Sequence, residues 1–328
     1  MEDVVVGATP REVVLRHDKL SLFRYRSENR RHPAPVLLVP ALISRSYILD
    51  LYPGGSFVEF LVDHGWDVYL ADWGIAGDED AHRDLEYYVA NLLPRCVERV
   101  RERSASEALT LLGYCMGGTM VAAYAALEHL GPPNNLITLA APIDFTHGGI
   151  LAKCCAPQAF DVDRIVDVFG NVPAALIEAL FTIIRPTVSL NAALTHAQRH
   201  ADPDFMRGFL AMDRWVNEWI PVPGAAARQW ITWFYQQNRL VEGRLELCGK
   251  PVDLAAVRAP VLVVGAAADH IAPIEAVRPL VEHVGSSDKR VIVLEGGHVG
   301  IVAGRGAKNN LWPAVEGWLR EHNQHVQA

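Results

Sequence analysis

The sequence LTLLGYCMGG at residues 109–118 combines a short apolar run with a cysteine that is flanked by glycines. The apolar run predicts a strand, and the residues after it predict a sharp turn that leads into a helix. We expect glycine at positions 113, 117 and 118, because a Cβ there would collide with the neighbouring strand and helix. Gly113, Gly117 and Gly118 therefore predict an elbow that presents Cys115 as a nucleophile.

Outward from this elbow, short apolar runs alternate with amphipathic stretches between residues 13 and 139. This alternation is typical of a parallel sheet that is covered by helices. The predicted strands are 13–17, 20–25, 36–39, 68–71, 109–112 and 136–139, and the predicted helices are 57–64, 87–103 and 119–130.

The alternation stops after Pro142. Residues 142–249 are rich in Trp, Phe, Leu and Ala and are predicted to be helical, without strands. Two further strands, 261–265 and 291–294, and a closing helix at 312–322 follow. We therefore expect a core domain, residues 1–141 and 250–328, interrupted by a helical cap at 142–249 that covers Cys115 as a lid.

Two further candidate catalytic residues follow the elbow, and their order along the chain indicates their roles. Nucleophile, acid and histidine occur in this order in the α/β-hydrolase fold, after successive strands. Here Asp269 follows the strand at 261–265, and His298 lies in the sequence GGHVG after the last strand. Taken singly, Asp269 is also a candidate N-cap of a helix near Pro273, and His298 an ordinary loop histidine. Their order favours Asp269 and His298 as catalytic acid and base, and His270 is the alternative base.

The position of Cys115 before a helix also predicts its reactivity. The positive end of the helix dipole and free backbone N–H groups favour a thiolate. We expect the amide of Met116 to be the first donor of an oxyanion hole, and a second donor near Ala41 or Leu42, after the third strand. The alternative is a buried cysteine within an accidental Gly-x-x-x-Gly pattern, and the strand–turn–helix context argues against it.

Composition narrows the classes of function. The chain of 328 residues has a net charge of −8, which argues against broad binding of nucleic acid. The arginine-rich residues 24–31 are expected to form a solvated turn. The five cysteines show no CxxC spacing, so no metal site is expected. Neither a secretory signal nor a transmembrane segment is apparent, which predicts a cytoplasmic protein.

Other conspicuous residues have less specific interpretations. Cys154 and Cys155 are expected to be core thiols. The aromatic residues of the predicted cap are expected to fill its core, with the alternative that they line an acyl channel. They are Trp215, Trp219, Trp230, Trp233, Phe234 and Tyr235.

Several separated motifs together resemble the polyhydroxyalkanoate synthases. They are the elbow GYCMGG at 113–118, YILDL at 47–51, DWG at 72–74, FYQQN at 234–238, ADHIAP at 268–273 and GGHVG at 296–300. The resemblance extends over about residues 36–319 and is to the short catalytic subunit of the two-subunit type. It implies polymerisation of (R)-3-hydroxyacyl-CoA, with 3-hydroxybutyryl-CoA the expected substrate, into polyester, with Cys115 holding the acyl chain as a thioester.

The resemblance also implies how the protein is used. CoA enters as part of the substrate, and neither a metal nor a redox cofactor is required. The expected partners are the growing polyester, a second copy of the chain and a second synthase subunit. The expected place of work is the surface of polymer granules. The competing functions are a cysteine-dependent ester or thioester hydrolase and a granule-binding protein without catalytic activity.

Overall fold

The computed structural model describes residues 4–184 and 197–323. An eight-stranded sheet forms the centre, with the strand order β1-β2-β4-β3-β5-β6-β9-β10. Strand β2 runs antiparallel to both of its neighbours, and the other pairs are parallel. The strands are β1 Glu12–His17, β2 Leu20–Tyr25, β3 Val36–Val39, β4 Val68–Asp72, β5 Thr110–Tyr114, β6 Asn135–Leu139, β7 Glu246–Leu247, β8 Lys250–Pro251, β9 Val261–Ala266 and β10 Lys289–Leu294.

All eight predicted strands are present in this sheet, and no predicted end differs from the observed one by more than two residues. Every residue of β3, β5, β6 and β9 is buried. Parallel strands that are covered on both faces have continuous apolar sequences, which is why these segments were recognisable. Strand β5, which leads into the elbow, lies near the middle of the sheet.

The helices cover the sheet, and five of them lie in the segment between β6 and β9. They are α1 Phe57–Asp63, α2 Leu93–Ser104, α3 Met116–Ala125, α4 Gly149–Cys154, α5 Val162–Phe169, α6 Ala174–Ile184, α7 Pro203–Asn217, α8 Gly224–Gln229, α9 Ile274–Val277, α10 Pro279–His283, α11 Gly300–Ala303 and α12 Leu311–Asn323. Among the described residues, no helix has the length and apolar character needed to cross a bilayer.

The predicted helices at 57–64 and 312–322 are confirmed. The helix predicted at 87–103 is also present, as a π-helix, Tyr87–Leu92, that continues into α2. The prediction for 119–130 is wrong at both ends. Helix α3 begins at Met116, directly after Cys115, and ends at Ala125, before a separate short turn. Glycine has a poor helix propensity, so Gly117 and Gly118 hid the first turn of the helix from the sequence.

The segment predicted as a helical cap contains helices α4 to α8, with residues 185–196 outside the described part of the chain. Asp161 and Asp202 cap α5 and α7 by accepting the backbone N–H groups of Arg164 and Phe205. The expectation that residues 142–249 lack strands is wrong, because Glu246–Leu247 pairs with Lys250–Pro251. The division of the chain into core and cap domains stays a prediction.

The arginine-rich residues 24–31 differ from the expected solvated turn. Arg24 lies in β2 and is buried, and its guanidinium donates two hydrogen bonds to Asp67, at 2.9 and 2.7 Å. Arg26 is exposed and pairs with Glu12, as expected for a surface residue. The prediction is therefore wrong for Arg24. Its charge can be buried because Asp67, which is distant in the sequence, provides two hydrogen-bond acceptors.

Removing that partner is expected to destabilise the protein strongly. Asp67→Asn leaves the Arg24 charge buried without its counter-charge, which costs roughly 3–5 kcal/mol. Glu321→Gln is the matched control, because Glu321 forms an exposed ion pair with Arg290 that contributes about 1 kcal/mol or less. Urea unfolding of both variants measures the difference. Equal stability losses would show that Arg24 and Asp67 form no special pair.

Candidate active site

Cys115 lies at the turn between β5 and α3 with a strained backbone. Its φ of 56° and ψ of −126° are unusual for a residue that carries a Cβ. Two hydrogen bonds hold the turn: the Cys115 N–H donates to the carbonyl of Leu139 at 2.9 Å, and the Cys115 carbonyl accepts from Gly118 at 2.9 Å. The neighbouring strand β6 and the first turn of α3 thus fix the position of the thiol.

Glycines make this turn possible because other backbone segments lie against it. A Cβ at Gly113 would overlap Gly118 and the carbonyl of Gly117. A Cβ at Gly117 would overlap the carbonyl oxygen of Val39, at the end of β3. The absence of these side chains allows α3 to begin directly at the sheet, with the thiol at its N-terminus.

His298 and Asp269 form a buried pair beside the elbow. The His298 Nδ1 lies 2.7 Å from an Asp269 carboxylate oxygen. The other Asp269 oxygen accepts the N–H groups of Ile271 and Ala272, at 2.8 and 2.9 Å. Asp269 is not a helix N-cap, because α9 begins at Ile274, after Pro273. His298 is not an ordinary loop histidine either, since only 5% of it is exposed.

The thiol of Cys115 is the second partner of His298. Burial lowers the pKa of His298, but the negative charge of Cys115 and the hydrogen bond to Asp269 raise it, together with the Asp269 charge and a hydrogen bond to Cys115. The net effect raises the pKa of His298 from its ordinary value to about 10. This environment favours the protonated form of His298 beside Cys115. The structure therefore brings Cys115, His298 and Asp269 together, whereas His270 is exposed.

Two cavities meet at Cys115. The smaller one, of about 170 Å³, has an almost entirely apolar lining that includes Met116, Cys155 and Tyr235. The larger one, of about 390 Å³, is lined by Ala41 and His298 and by polar residues of α6 and α7. The lining residues that they share are Ile43, Cys115, Phe181 and Ile271.

The three residues predicted to contribute to the oxyanion hole differ in their position relative to Cys115. Met116 is the first residue of α3, so its N–H has no acceptor within the helix. Ala41 lines the larger cavity together with Cys115. Leu42 lines a separate small cavity beside Trp73. This placement favours Ala41 over Leu42 for the second donor, and the oxyanion hole stays a prediction.

Some residues that the sequence predicts to be core residues line the two cavities. Four of the six aromatic residues line a cavity, namely Trp215, Trp219, Trp230 and Tyr235, which favours the alternative of an acyl channel. Phe234 is a core residue as expected. Cys155 is buried, and it also lines the smaller cavity. The motif FYQQN includes Tyr235, but the sequence alone does not show which way its side chain points.

The central sheet, the elbow and the His298–Asp269 pair define an enzyme of the α/β-hydrolase fold. A family model described as "alpha/beta hydrolase fold" matches residues 34–304, which confirms the predicted fold class. A second, described as "Poly-beta-hydroxybutyrate polymerase (PhaC) N-terminus", matches residues 3–61. The chain belongs to the poly(3-hydroxyalkanoate) polymerase family.

Curated relatives named "Poly(3-hydroxyalkanoate) polymerase subunit PhaC" align with nearly the whole chain. The protein from Haloferax mediterranei is 37% identical over 99% of this chain and 66% of its own length. The Haloarcula marismortui protein is 37% identical over 98% of this chain and 70% of its own length. The Allochromatium vinosum protein is 34% identical over 98% of this chain and 91% of its own length. These relatives confirm the predicted resemblance and place the chain among acyltransferases.

Solved structures support the fold alone. A soluble variant of monoglyceride lipase from Saccharomyces cerevisiae has a TM-score of 0.60 at 16% identity, and it covers 98% of this chain and 100% of its own. The monoacylglycerol lipase of Paleococcus ferrophilus has a TM-score of 0.58 at 17% identity, and it covers 92% of this chain and 99% of its own.

Proposed function

We propose that this protein polymerises (R)-3-hydroxyacyl-CoA into polyester and holds the acyl group on Cys115 as a thioester. The observation that best supports this proposal is the position of the Cys115 thiol, which is paired with His298 where two cavities meet. The chain's membership of the polymerase family supports it as well. The proposed substrate is 3-hydroxybutyryl-CoA, in keeping with the name of the family model at the N-terminus.

The first step transfers the acyl group from CoA to the enzyme. The Cys115 thiolate attacks the thioester carbonyl carbon, and the bond between that carbon and the CoA sulfur breaks. The CoA thiolate takes the proton that His298 holds. One thioester replaces another, so the acyl group keeps its activation for the next transfer. This retention favours a polymerase over a hydrolase as the user of a cysteine.

The second step lengthens the chain. The 3-hydroxyl of an incoming hydroxyacyl-CoA attacks the thioester on Cys115 and gives its proton to His298. An ester C–O bond forms, the carbon–sulfur bond to Cys115 breaks, and the thiolate–imidazolium pair returns. The lengthened chain, now a CoA thioester, reloads Cys115 by the first step. Neither step requires a metal or a redox cofactor.

Asp269 is proposed to orient His298 and to stabilise its cation. Both of its oxygens have protein partners, and its side chain has no exposed surface. A carboxylate in this position is poorly placed to reach a substrate hydroxyl. These contacts favour orientation of His298 over the alternative role, in which Asp269 activates the 3-hydroxyl directly.

Asp269→Asn is expected to slow the loading of Cys115 by roughly 10²- to 10⁴-fold. The amide donates to His298 Nδ1, which forces the proton onto the other ring nitrogen and removes the base that faces Cys115. Single-turnover loading with labelled 3-hydroxybutyryl-CoA measures the effect. A loss confined to chain growth would instead support direct action on the hydroxyl.

The quaternary state and the place of work are also proposed. Helices α5 and α6 expose Val168, Phe169 and Ile183, with exposed fractions of 68%, 54% and 69%. An apolar surface of this kind suits a second copy, a second synthase subunit or the surface of a cytoplasmic polymer granule.

The cap is proposed to act as a lid that opens when this surface is covered. A lag in CoA release that shortens on addition of polymer-primed enzyme tests this role.

One assay separates the proposed activity from its competitors. The purified protein is incubated with 3-hydroxybutyryl-CoA, and both CoA and polymer are measured. Polymer formation with matching CoA release supports the polymerase. Free 3-hydroxybutyrate would identify a hydrolase, and no reaction of Cys115 with the thioester would identify a binding protein.

A further inference from the structure

The smaller cavity beside Cys115 contains a hydroxyl group in otherwise apolar surroundings. Of the described residues that line this cavity, only Tyr235 carries a hydroxyl. The other lining side chains are hydrocarbons such as Leu151 and Ile231, the sulfur-containing groups of the cysteines and of Met116, and the indole of Trp230. A polar group in such a cavity orients a ligand, since the apolar walls provide affinity without direction.

The Tyr235 ring packs against a buried aromatic residue that is not part of the cavity lining. It packs edge-on against Phe145, with ring centroids 4.9 Å apart and planes at 82°. Phe145 is itself fully buried and also stacks on Phe234. The next residue, Gln236, donates to the carbonyls of Cys155 and Phe160, each at 3.2 Å. These contacts fix the direction of the phenol ring.

Tyr235 lines the same cavity as the two thiols of Cys115 and Cys155. Burial raises its pKa, and so do the negative charges on Cys155 and Cys115, so it stays a neutral donor. Among the described residues, none forms a hydrogen bond with this hydroxyl. Tyr235 is only partly buried, so its hydroxyl can donate to a group that enters the cavity. A ligand oxygen close to Cys115 would be such an acceptor.

We infer that Tyr235 positions the acyl unit on Cys115 by donating a hydrogen bond to its 3-oxygen. The hydrocarbon part of the unit occupies the apolar cavity. The 3-oxygen lies two carbons from the carbonyl that Cys115 attacks, which suits a donor held near the sulfur. This inference rests on the proposed function and assigns a positioning residue to it.

A pair of substrates tests the contact. Butyryl-CoA lacks the 3-hydroxyl of (R)-3-hydroxybutyryl-CoA and is otherwise the same, so the ratio of their single-turnover loading rates on Cys115 reports on the 3-oxygen. The wild-type protein is expected to load the hydroxylated substrate faster. Tyr235→Phe should lower the rate for that substrate by roughly 3- to 10-fold, as one neutral hydrogen bond implies, and leave the rate for butyryl-CoA unchanged.

Tyr124→Phe is the matched control, because its hydroxyl donates to the carbonyls of Leu130 and Gly131, away from both cavities. It should leave the ratio of rates at the wild-type value. Equal rates for both substrates in the wild-type protein would overturn the inference, whether or not the Tyr235 variant folds. An equal loss for both substrates in Tyr235→Phe would overturn it too, since lost packing acts on each alike. If the wild-type protein loads neither substrate, the proposed function itself fails, which is a different result.

Discussion

Cys115→Ala is expected to abolish CoA release from 3-hydroxybutyryl-CoA, with a loss on the order of 10⁴-fold or more. The alanine variant has no sulfur to accept the acyl group, so neither loading nor chain growth begins. The fold should survive, because alanine fits wherever the Cβ of cysteine fits and the strained turn is held by backbone hydrogen bonds. CoA release and covalent labelling by radioactive substrate measure the loss, and circular dichroism checks the fold.

Cys96→Ala is the control for the removal of a thiol. Cys96 is buried in α2, and burial raises its pKa to about 12, so it provides no thiolate. Its replacement should cost about 1–2 kcal/mol through the lost packing and leave the loading rate unchanged. CoA release by Cys115→Ala at a rate near that of the wild-type protein would end the assignment of Cys115 as the nucleophile.

His298→Gln is expected to stop both acyl loading and chain growth, again with a loss on the order of 10⁴-fold. Each step needs a proton to be taken from a nucleophile, and glutamine cannot take it. Single-turnover labelling separates the two steps, because loading is measured before any second substrate binds. His270→Gln is the matched control and should load at the wild-type rate. His270 is exposed, and the hydrogen bond of Asp269 to an imidazole is with His298.

Stability provides a second measurement of His298. Its pKa is raised above the unfolded value of about 6.5, so the protonated ring favours the folded state. This stabilisation is complete below the unfolded pKa and is lost as the pH rises through about 10. The difference in unfolding free energy between wild type and His298→Gln should therefore shrink over that range. Wild-type loading by the glutamine variant would assign the base elsewhere, with His270 as the first candidate.

The elbow and the buried strands were predictable because their signals are local. Strand β5, the turn at Cys115 and the first residues of α3 are contiguous, so one short segment contains the strand, the turn and the small residues that the turn requires. Strands buried on both faces have apolar runs that need no partner to be recognised. Asp269 and His298 were predictable for another reason, since the order of strands dictates which loops meet at one edge of a parallel sheet.

Short or glycine-rich elements were missed because propensity is a weak signal over few residues. The first turn of α3 contains Gly117 and Gly118, whose low helix propensity is overcome by packing of the helix against β3. The hairpin of β7 and β8 has two residues in each strand, too few to show a period, and Pro251 lies in one of them.

Burial and the direction of side chains depended on residues that are distant in the sequence. Arg24 is buried because β2 and the turn before β4 bring Asp67 against it, and the sequence showed only a run of arginines. Tyr235, in the π-helix Trp230–Gln236, lines the same cavity as Cys115 and Cys155. Periodicity reports which residues share a face of one element. Which faces meet, and what space remains between them, follows only from packing in three dimensions, and that space places the phenol of Tyr235 beside the thiol of Cys115.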